Sequence, residues 1–412
     1  MAVDDLISHL DRSVSPAHST AHSAGRLREA GFGEIAFDSW GASLPPRGFV
    51  RSAGLLLAWC GTGGPFRVVG AHTDSPTLRL KPRPDSGSHG WKQIAVEVYG
   101  GILNNSWLDR DLAVAGRLIL DDGRTVLVDT EDPVARIPQL AVHLDREVNE
   151  RGLVLDRQIH LSPVWGLGTS SPGDFLQLLA ERADVKSTSI STHDLVMYDT
   201  TPARVLADGA LLASGRLDNQ VSCWAATSAI IDVARSGINE NTFVIALFDH
   251  EEVGSESTHG AAGPQLDWLL RTLHGADEGS FRDRCAKSLC VSADNAHSVH
   301  PNYPERHEPG HRPIANGGPV IKSNANQRYA TTAETAAMFE KACVSAGVPY
   351  QWFVSKNTMP CGSTIGPITS TRLGIPTVDV GVAQLSMHSA REMCGAHDPD
   401  LLVRALTAVG NL

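Results

Sequence analysis

The sequence predicts an α/β protein interrupted by a β-rich insertion, and three observations carry that expectation. On either side of a β-rich stretch, apolar runs such as LLLAWC and FRVVGAH before it and TFVIALF and IPTVDVGV after it alternate with helical patterns, as the buried strands of a largely parallel sheet do. Between about 84 and 204 the helical pattern yields to short β patterns joined by turns. From 205 the α/β alternation resumes and continues to residue 412. A chain of 412 residues with 42% hydrophobic content buries a large core and suits two domains, one built from 1–83 and 205–412 and one from 84–204.

In order, Leu6 and Leu10 and then Ala17 to Ala30 carry apolar residues at helical spacing, with Ser15-Pro16 as a start signal and Gly31 as a stop. LLLAWC (55–60) and FRVVGAH (66–72) read as strands, and the GTGG between them reads as a hairpin turn. The second strand ends in His72-Thr73-Asp74. KPRPDSGSHG (81–90) reads as a break, followed by IAVEVYG, AVAGRLIL and RTVLVD, then IPQLAVHLDREV, a polar stretch from Gly166 to Lys186 and a return through LVMYDTTPARV. A helix is predicted from Gln220 to Arg235, stopped at Gly237. Strands follow at Thr242–Phe248, at SLCVSA before Asp294, at GPVIK and at IPTVDVGV. Helices are predicted from Thr332 to Ala346 and up to Leu373.

Composition excludes several function classes. The net charge of −11 and the lack of any long Lys/Arg cluster argue against nucleic acid and anionic membranes as partners. The start, MAVDDLISHLDRSV, lacks the basic and apolar regions of a signal peptide, and no run of 18 apolar residues occurs, so a cytoplasmic protein is expected. Seven scattered Cys without a CxxC pair read as reduced thiols rather than a disulfide frame or a zinc ribbon.

The chemistry gathers on TFVIALFDHEEVGSES (242–257), where a buried strand delivers Glu251 and Glu252 to its carboxyl end. Other strands deliver His72, Asp294 and His388 in the same way, and Asp218 stands before a helix, where it can cap the helix or reach a metal. Two imidazoles and three carboxylates suit zinc, with manganese or cobalt as substitutes. If one carboxylate bridges, five side chains give two metals three ligands each and leave positions for water and substrate. Glu251 is then the spare carboxylate, a candidate general base. With 17 His in the chain, no single position decides the matter.

Seven blocks, GAHTDSPTLRLKP (70–82), SGRLDNQ (214–220), FDHEEVGSES (248–257), SADNAHSVHPNYPERH (292–307), GPVIKSNANQRYA (318–330), PCGSTIGPI (360–368) and QLSMHSARE (384–392), together resemble the aspartyl aminopeptidase family of dinuclear zinc exopeptidases. The resemblance implies a three-layer α/β/α zinc-exopeptidase catalytic domain with an inserted β-rich dimerisation domain. It implies two Zn2+ per subunit: one on His72 and Asp294, one on Glu252 and His388, and Asp218 bridging. It also implies Glu251 as the base and Asp74 as the carboxylate that orients His72. Lys322 and Tyr329 match residues of the family's substrate pocket, where a Lys favours an acidic N-terminal side chain. His143 matches a residue that reaches the site of a neighbouring subunit, and the assembly implied is a tetrahedral homododecamer acting on peptides.

Several positions compete with this reading. HEPGH (307–311) fits the HExxH pattern, but Pro309 and Gly310 oppose the helix that pattern needs. His297 and His300 compete with Asp294 for metal, and His397 with His388. Cys361 lacks an activating His/Asn pattern and reads as packing or pocket wall, while His250 and His259 carry no role. The rival activities are an aminopeptidase preferring neutral N-terminal residues, a related metal-dependent deacylase or carboxypeptidase, and a non-catalytic scaffold, which the complete ligand set opposes.

Overall fold

The computed structural model describes residues 2–39, 44–237 and 240–412. Its centre is a nine-stranded sheet in the order Gly33–Glu34, Arg47–Ser52, Leu55–Cys60, Thr242–Phe248, Phe66–His72, Leu289–Ala293, Thr377–Gly381, Val320–Ser323 and Gln351–Val354. The four strands from Thr242–Phe248 to Thr377–Gly381 run parallel. The hairpin expected around GTGG does not form. Thr242–Phe248 lies between the two strands, antiparallel to Leu55–Cys60 and parallel to Phe66–His72. A composition-based turn signal marks a reversal of the chain, and the chain does reverse there, but Thr242–Phe248, buried along its whole length, takes the place between the two arms.

Both faces of that central strand are covered. Phe243, Ile245 and Leu247 join a core with the helices Ala2–Arg12, Pro16–Glu29, Leu217–Ser236, Ala333–Ala346 and Asp398–Val409. Val244, Ala246 and Phe248 join a second core with Gln265–His274, Glu278–Ala286 and Ile365–Leu373. The alternation of one strand between two cores makes the three layers of an α/β/α sandwich. Helix ends match their signals: Ser15 accepts a hydrogen bond from His18 N ahead of Pro16, and Thr332 and Thr335 form a reciprocal cap.

A second, six-stranded antiparallel sheet holds Thr125–Asp129, Leu112–Leu120, Ile190–Asp199, Thr77–Ser88, Trp91–Tyr99 and Val164–Leu167 in that order. Its strand Thr77–Ser88 runs into KPRPDSGSHG as far as Ser88 and across the expected boundary at 83/84; a register shift between Leu80 and Asp85 accommodates the prolines instead of a break. The polar stretch 166–186 contains a helix, Asp174–Arg182, whose Phe175 and Leu179 cover this sheet's core. A third sheet of five short strands, Arg204–Leu206, Leu211–Ser214, Glu392–Gly395, Ala383–Leu385 and Ala296–His297, carries the chain back to the first. Among the described residues no helix is long and apolar enough to cross a membrane. All seven Cys are free, and all but Cys361 are buried.

Candidate metal centre

Strand register brings the site together. Phe248 lies beside His72, the last residue of its strand, so the turn Glu251–Val253 follows at the same edge. Ser292 lies beside Gly70, which brings Asp294, two residues on, level with His72. The absent side chain of Gly381 makes room there, since a Cβ would come within 1.9 Å of Asp294 O. Asp218 is not the helix cap: it sits in an irregular first turn after Arg216, with φ −86° and ψ 105°. His388 follows Ala383–Leu385 in a left-handed conformation, φ 68°.

Two triads that could each hold a metal ion result, His72–Asp218–Asp294 and Asp218–Glu252–His388, with their donor atoms within 4.8 Å of one another. His72 Nε2 is 3.3 Å from Asp218 Oδ1 and 3.6 Å from Asp294 Oδ1. His388 Nε2 is 3.7 Å from Asp218 Oδ2 and 3.5 Å from Glu252 Oε2. The two oxygens of Asp218 thus face two different imidazoles. Atoms each about 2.1 Å from a tetrahedral zinc lie about 3.4 Å from one another, so these spacings fit ligands around a metal better than hydrogen bonds. Asp218 Oδ1 is buried without a hydrogen-bond partner, which also fits a metal. A third triad, His72–Glu251–Glu252, offers an alternative in which Glu251 is a ligand.

The imidazoles are turned the right way. His72 Nδ1 lies 3.0 Å from Asp74 O, and His388 Nδ1 lies 3.0 Å from Gly101 O. A proton on each Nδ1, donated to the carbonyl, leaves each Nε2 lone pair facing the cluster. The Asp74 carboxylate stands somewhat farther from His72 Nδ1, at 3.4 Å. It accepts hydrogen bonds from Glu251 N at 3.1 Å, Glu252 N at 3.0 Å and Tyr99 Oη at 2.8 Å, and so fixes the turn that carries both Glu residues.

The electrostatics call for cations. Burial, followed by the charges of Asp294, Asp74 and Asp218 against the opposing pull of His72, pushes the Glu251 carboxyl up to about 8. Burial and then Asp218 hold Glu252 well above the usual carboxylate range. For His72, burial alone lowers the pKa, but hydrogen bonds to Asp218, Asp294 and Asp74 outweigh it and the ring is held well above its ordinary value. Asp294, raised by burial, ends well below the usual range because Lys322, His72 and His388 face it. Carboxylates crowded in this way take up protons or divalent metal.

Lys322 is buried, with Nζ 3.5 Å from Asp294 Oδ2, 3.3 Å from Asn295 O and 5.0 Å from the centre of the Tyr329 ring. Tyr329 is itself buried, so the two expected pocket residues adjoin the cluster. His143 does not; it is exposed, on a turn outside the metal-capable groups found among the described residues. The competing histidines are elsewhere occupied. His307 Nε2 accepts from His300 N, and His311 pairs with Glu308 in a non-helical segment. His297 packs edge-on against Phe353, and His397 is exposed. His250 binds Ser257 Oγ, His259 binds Ser52 Oγ, and Cys361 packs against the cluster around Tyr329 and Phe353.

Sequence reasoning missed the groups that hold the ligands. Gln220 Nε2 donates to Thr73 O, Asn219 Nδ2 to Ala293 O, Asn295 Nδ2 to Leu217 O and Ser75 Oγ to Asp218 O, which tie the Asp218 turn to two strand ends. Glu392 accepts from both Asp218 N and His388 N. The visible signals were the amides beside Asp218 and Asp294 and the place of Glu392 at the end of the QLSMHSARE block; Tyr99 and Gly101 had none.

Residues 9–409 match the family model for aminopeptidase I zinc metalloproteases, M18. A Streptomyces coelicolor protein described as a probable M18 family aminopeptidase 2 is 51% identical, over 98% of this chain and 96% of its own. Among solved structures, that of the Ape4 and Nbr1 complex matches with a TM-score of 0.94 at 34% identity, covering 98% of this chain and 84% of that one. That of the S. cerevisiae mApe1 dodecamer matches at 0.84 and 26% identity, covering 99% and 95%.

Proposed function

The chain belongs to the M18 family of zinc metallopeptidases and is an aminopeptidase, and from that premise we propose that it releases acidic N-terminal residues, Asp and Glu, from peptides through a dinuclear site. The observation that carries the proposal is the sharing of Asp218 between the His72–Asp294 pair and the Glu252–His388 pair. Those five side chains would hold the two metals, zinc by preference, with manganese or cobalt as substitutes. Metals held there would polarise the scissile carbonyl, make water more acidic and anchor the substrate's free amine.

The chain's own residues do the rest. Glu251, its backbone pinned by Asp74, takes the proton of the attacking water and returns it to the leaving amine. Asp74 keeps Glu251 and Glu252 in register with His72. Lys322, buried in a wall it shares with Tyr329, supplies the positive charge that selects an acidic side chain. The β-rich insert serves dimerisation: Leu140, Val142, Leu144, Val154 and Ile159 are exposed along the segment that carries His143, as a surface covered by a second copy would be. In a closed tetrahedral dodecamer His143 reaches the neighbouring subunit's site; the dodecamer named for the S. cerevisiae relative supports that assembly.

The test is hydrolysis by the metal-reconstituted protein of matched peptides beginning with Asp, Glu, Leu or N-acetyl-Asp. Release of Asp and Glu only, with the acetylated peptide inert, is the expected result. Preference for Leu overturns the acidic specificity, and cleavage of the acetylated peptide alone overturns the aminopeptidase reading of the site.

A further inference from the structure

We infer that Glu392 is the positioning residue that holds Asp218 and His388 at their metal-binding separation. The inference rests on the ligand set proposed above but uses contacts that set does not. Glu392 opens the strand Glu392–Gly395 and is 2% exposed. Its Oε2 accepts a hydrogen bond from Asp218 N at 2.9 Å, and its Oε1 accepts one from His388 N at 2.7 Å. One carboxylate therefore ties together the main chains of the bridging carboxylate and of an imidazole ligand.

Both segments need such an anchor. Asp218 lies in a non-helical turn, and His388 has φ 68°, a conformation that a residue with a side chain holds only when its surroundings enforce it. The chemistry of the anchor is specific. The two N–H donors meet different oxygens, Oε2 and Oε1, and an amide in the same place turns an NH2 donor toward one of them. Gln384 Nε2, 3.5 Å from Oε1, is at the edge of hydrogen-bond range and contributes little. Among the described residues Glu392 belongs to none of the metal-capable groups. It acts through the backbone, fixing the torsion that aims Asp218 Oδ1 at His72 and Oδ2 at His388.

The experiment titrates zinc into the metal-free full-length protein against a competing chelator, for the wild type and E392Q. Expected are two zinc ions per wild-type chain. In E392Q, both zinc ions should be bound more weakly, since both triads use Asp218, and the one that also uses His388 should be weakened most, by about 10- to 100-fold, with the metal-free melting temperature little changed. A purely structural role would lower that temperature and leave the affinity of the folded protein alone. Two zinc ions bound by E392Q with wild-type affinity overturn the inference. A wild type that does not bind two overturns the ligand set itself, so the two failures are distinguishable. Should E392Q not fold, hydrogen exchange in the metal-free wild type decides: slow exchange at Asp218 and His388 supports a preformed anchor, and fast exchange at either overturns it.

Discussion

Replacing Glu251 with Gln separates proton transfer from metal binding. The side chain is 15% exposed, its carboxylate lies 3.9 Å from His72 Nε2, and its main chain is held by Asp74, so an amide of the same shape keeps position and volume. What it loses is the ability to take a proton. A positioned general base contributes roughly 100- to 10,000-fold, about 2.7 to 5.4 kcal/mol of barrier. The expected result is a kcat lowered by that factor, with KM and zinc content unchanged, measured by steady-state release of the N-terminal residue alongside metal analysis. Turnover within threefold of wild type would refute the base assignment. Loss of one zinc would refute it differently, placing Glu251 among the ligands in the His72–Glu251–Glu252 triad.

Three further outcomes follow from the same site. Asp218→Asn should weaken both metals together, since each triad uses that residue, whereas Asp294→Asn should weaken mainly one; equal loss in the two variants, by zinc titration, would count against a bridge. Lys322→Met should lower kcat/KM for an Asp peptide about 10- to 100-fold, the loss of one charge-assisted contact, and leave a Leu peptide within a few-fold. An equal fall for both would assign Lys322 to holding Asp294 rather than to specificity. The third outcome concerns metal-free protein. Burial raises Glu251 from 4.5 to about 8 in the folded state, so its contribution to stability is fully present below pH 4.5 and is lost as pH rises through 8. His72, also raised, acts in the same sense: its contribution is present below its ordinary 6.5 and lost as pH passes its folded value. Going from pH 6 to pH 9 should therefore destabilise metal-free protein by about 3 kcal/mol from Glu251 alone, and E251Q should remove that part. A denaturant midpoint that is flat with pH, or equally steep in E251Q, would contradict this.

The residues proposed to carry chemistry were legible in the sequence as candidates because most stand at the end of a pattern with its own physical signature. TFVIALF is apolar on both faces, so it had to be an inner strand, and the acidic pair after it had to emerge at an edge. The same logic placed His72 and Asp294. What a pattern of period two or 3.6 cannot contain is which strand lies beside which. GTGG suggested a hairpin, yet Thr242–Phe248 pairs between Leu55–Cys60 and Phe66–His72, because that arrangement buries both of its faces. KPRPDSGSHG suggested a break, yet a register shift lets one strand run into it as far as Ser88. The sequence by itself determined the donor types and the edge from which they project. Only the tertiary structure decided that Asp218 faces two imidazoles, that Gly101, distant in the chain, faces His388 Nδ1, and that Glu392 joins His388 to the equally distant Asp218; such contacts depend on long-range packing, which local periodicity does not encode.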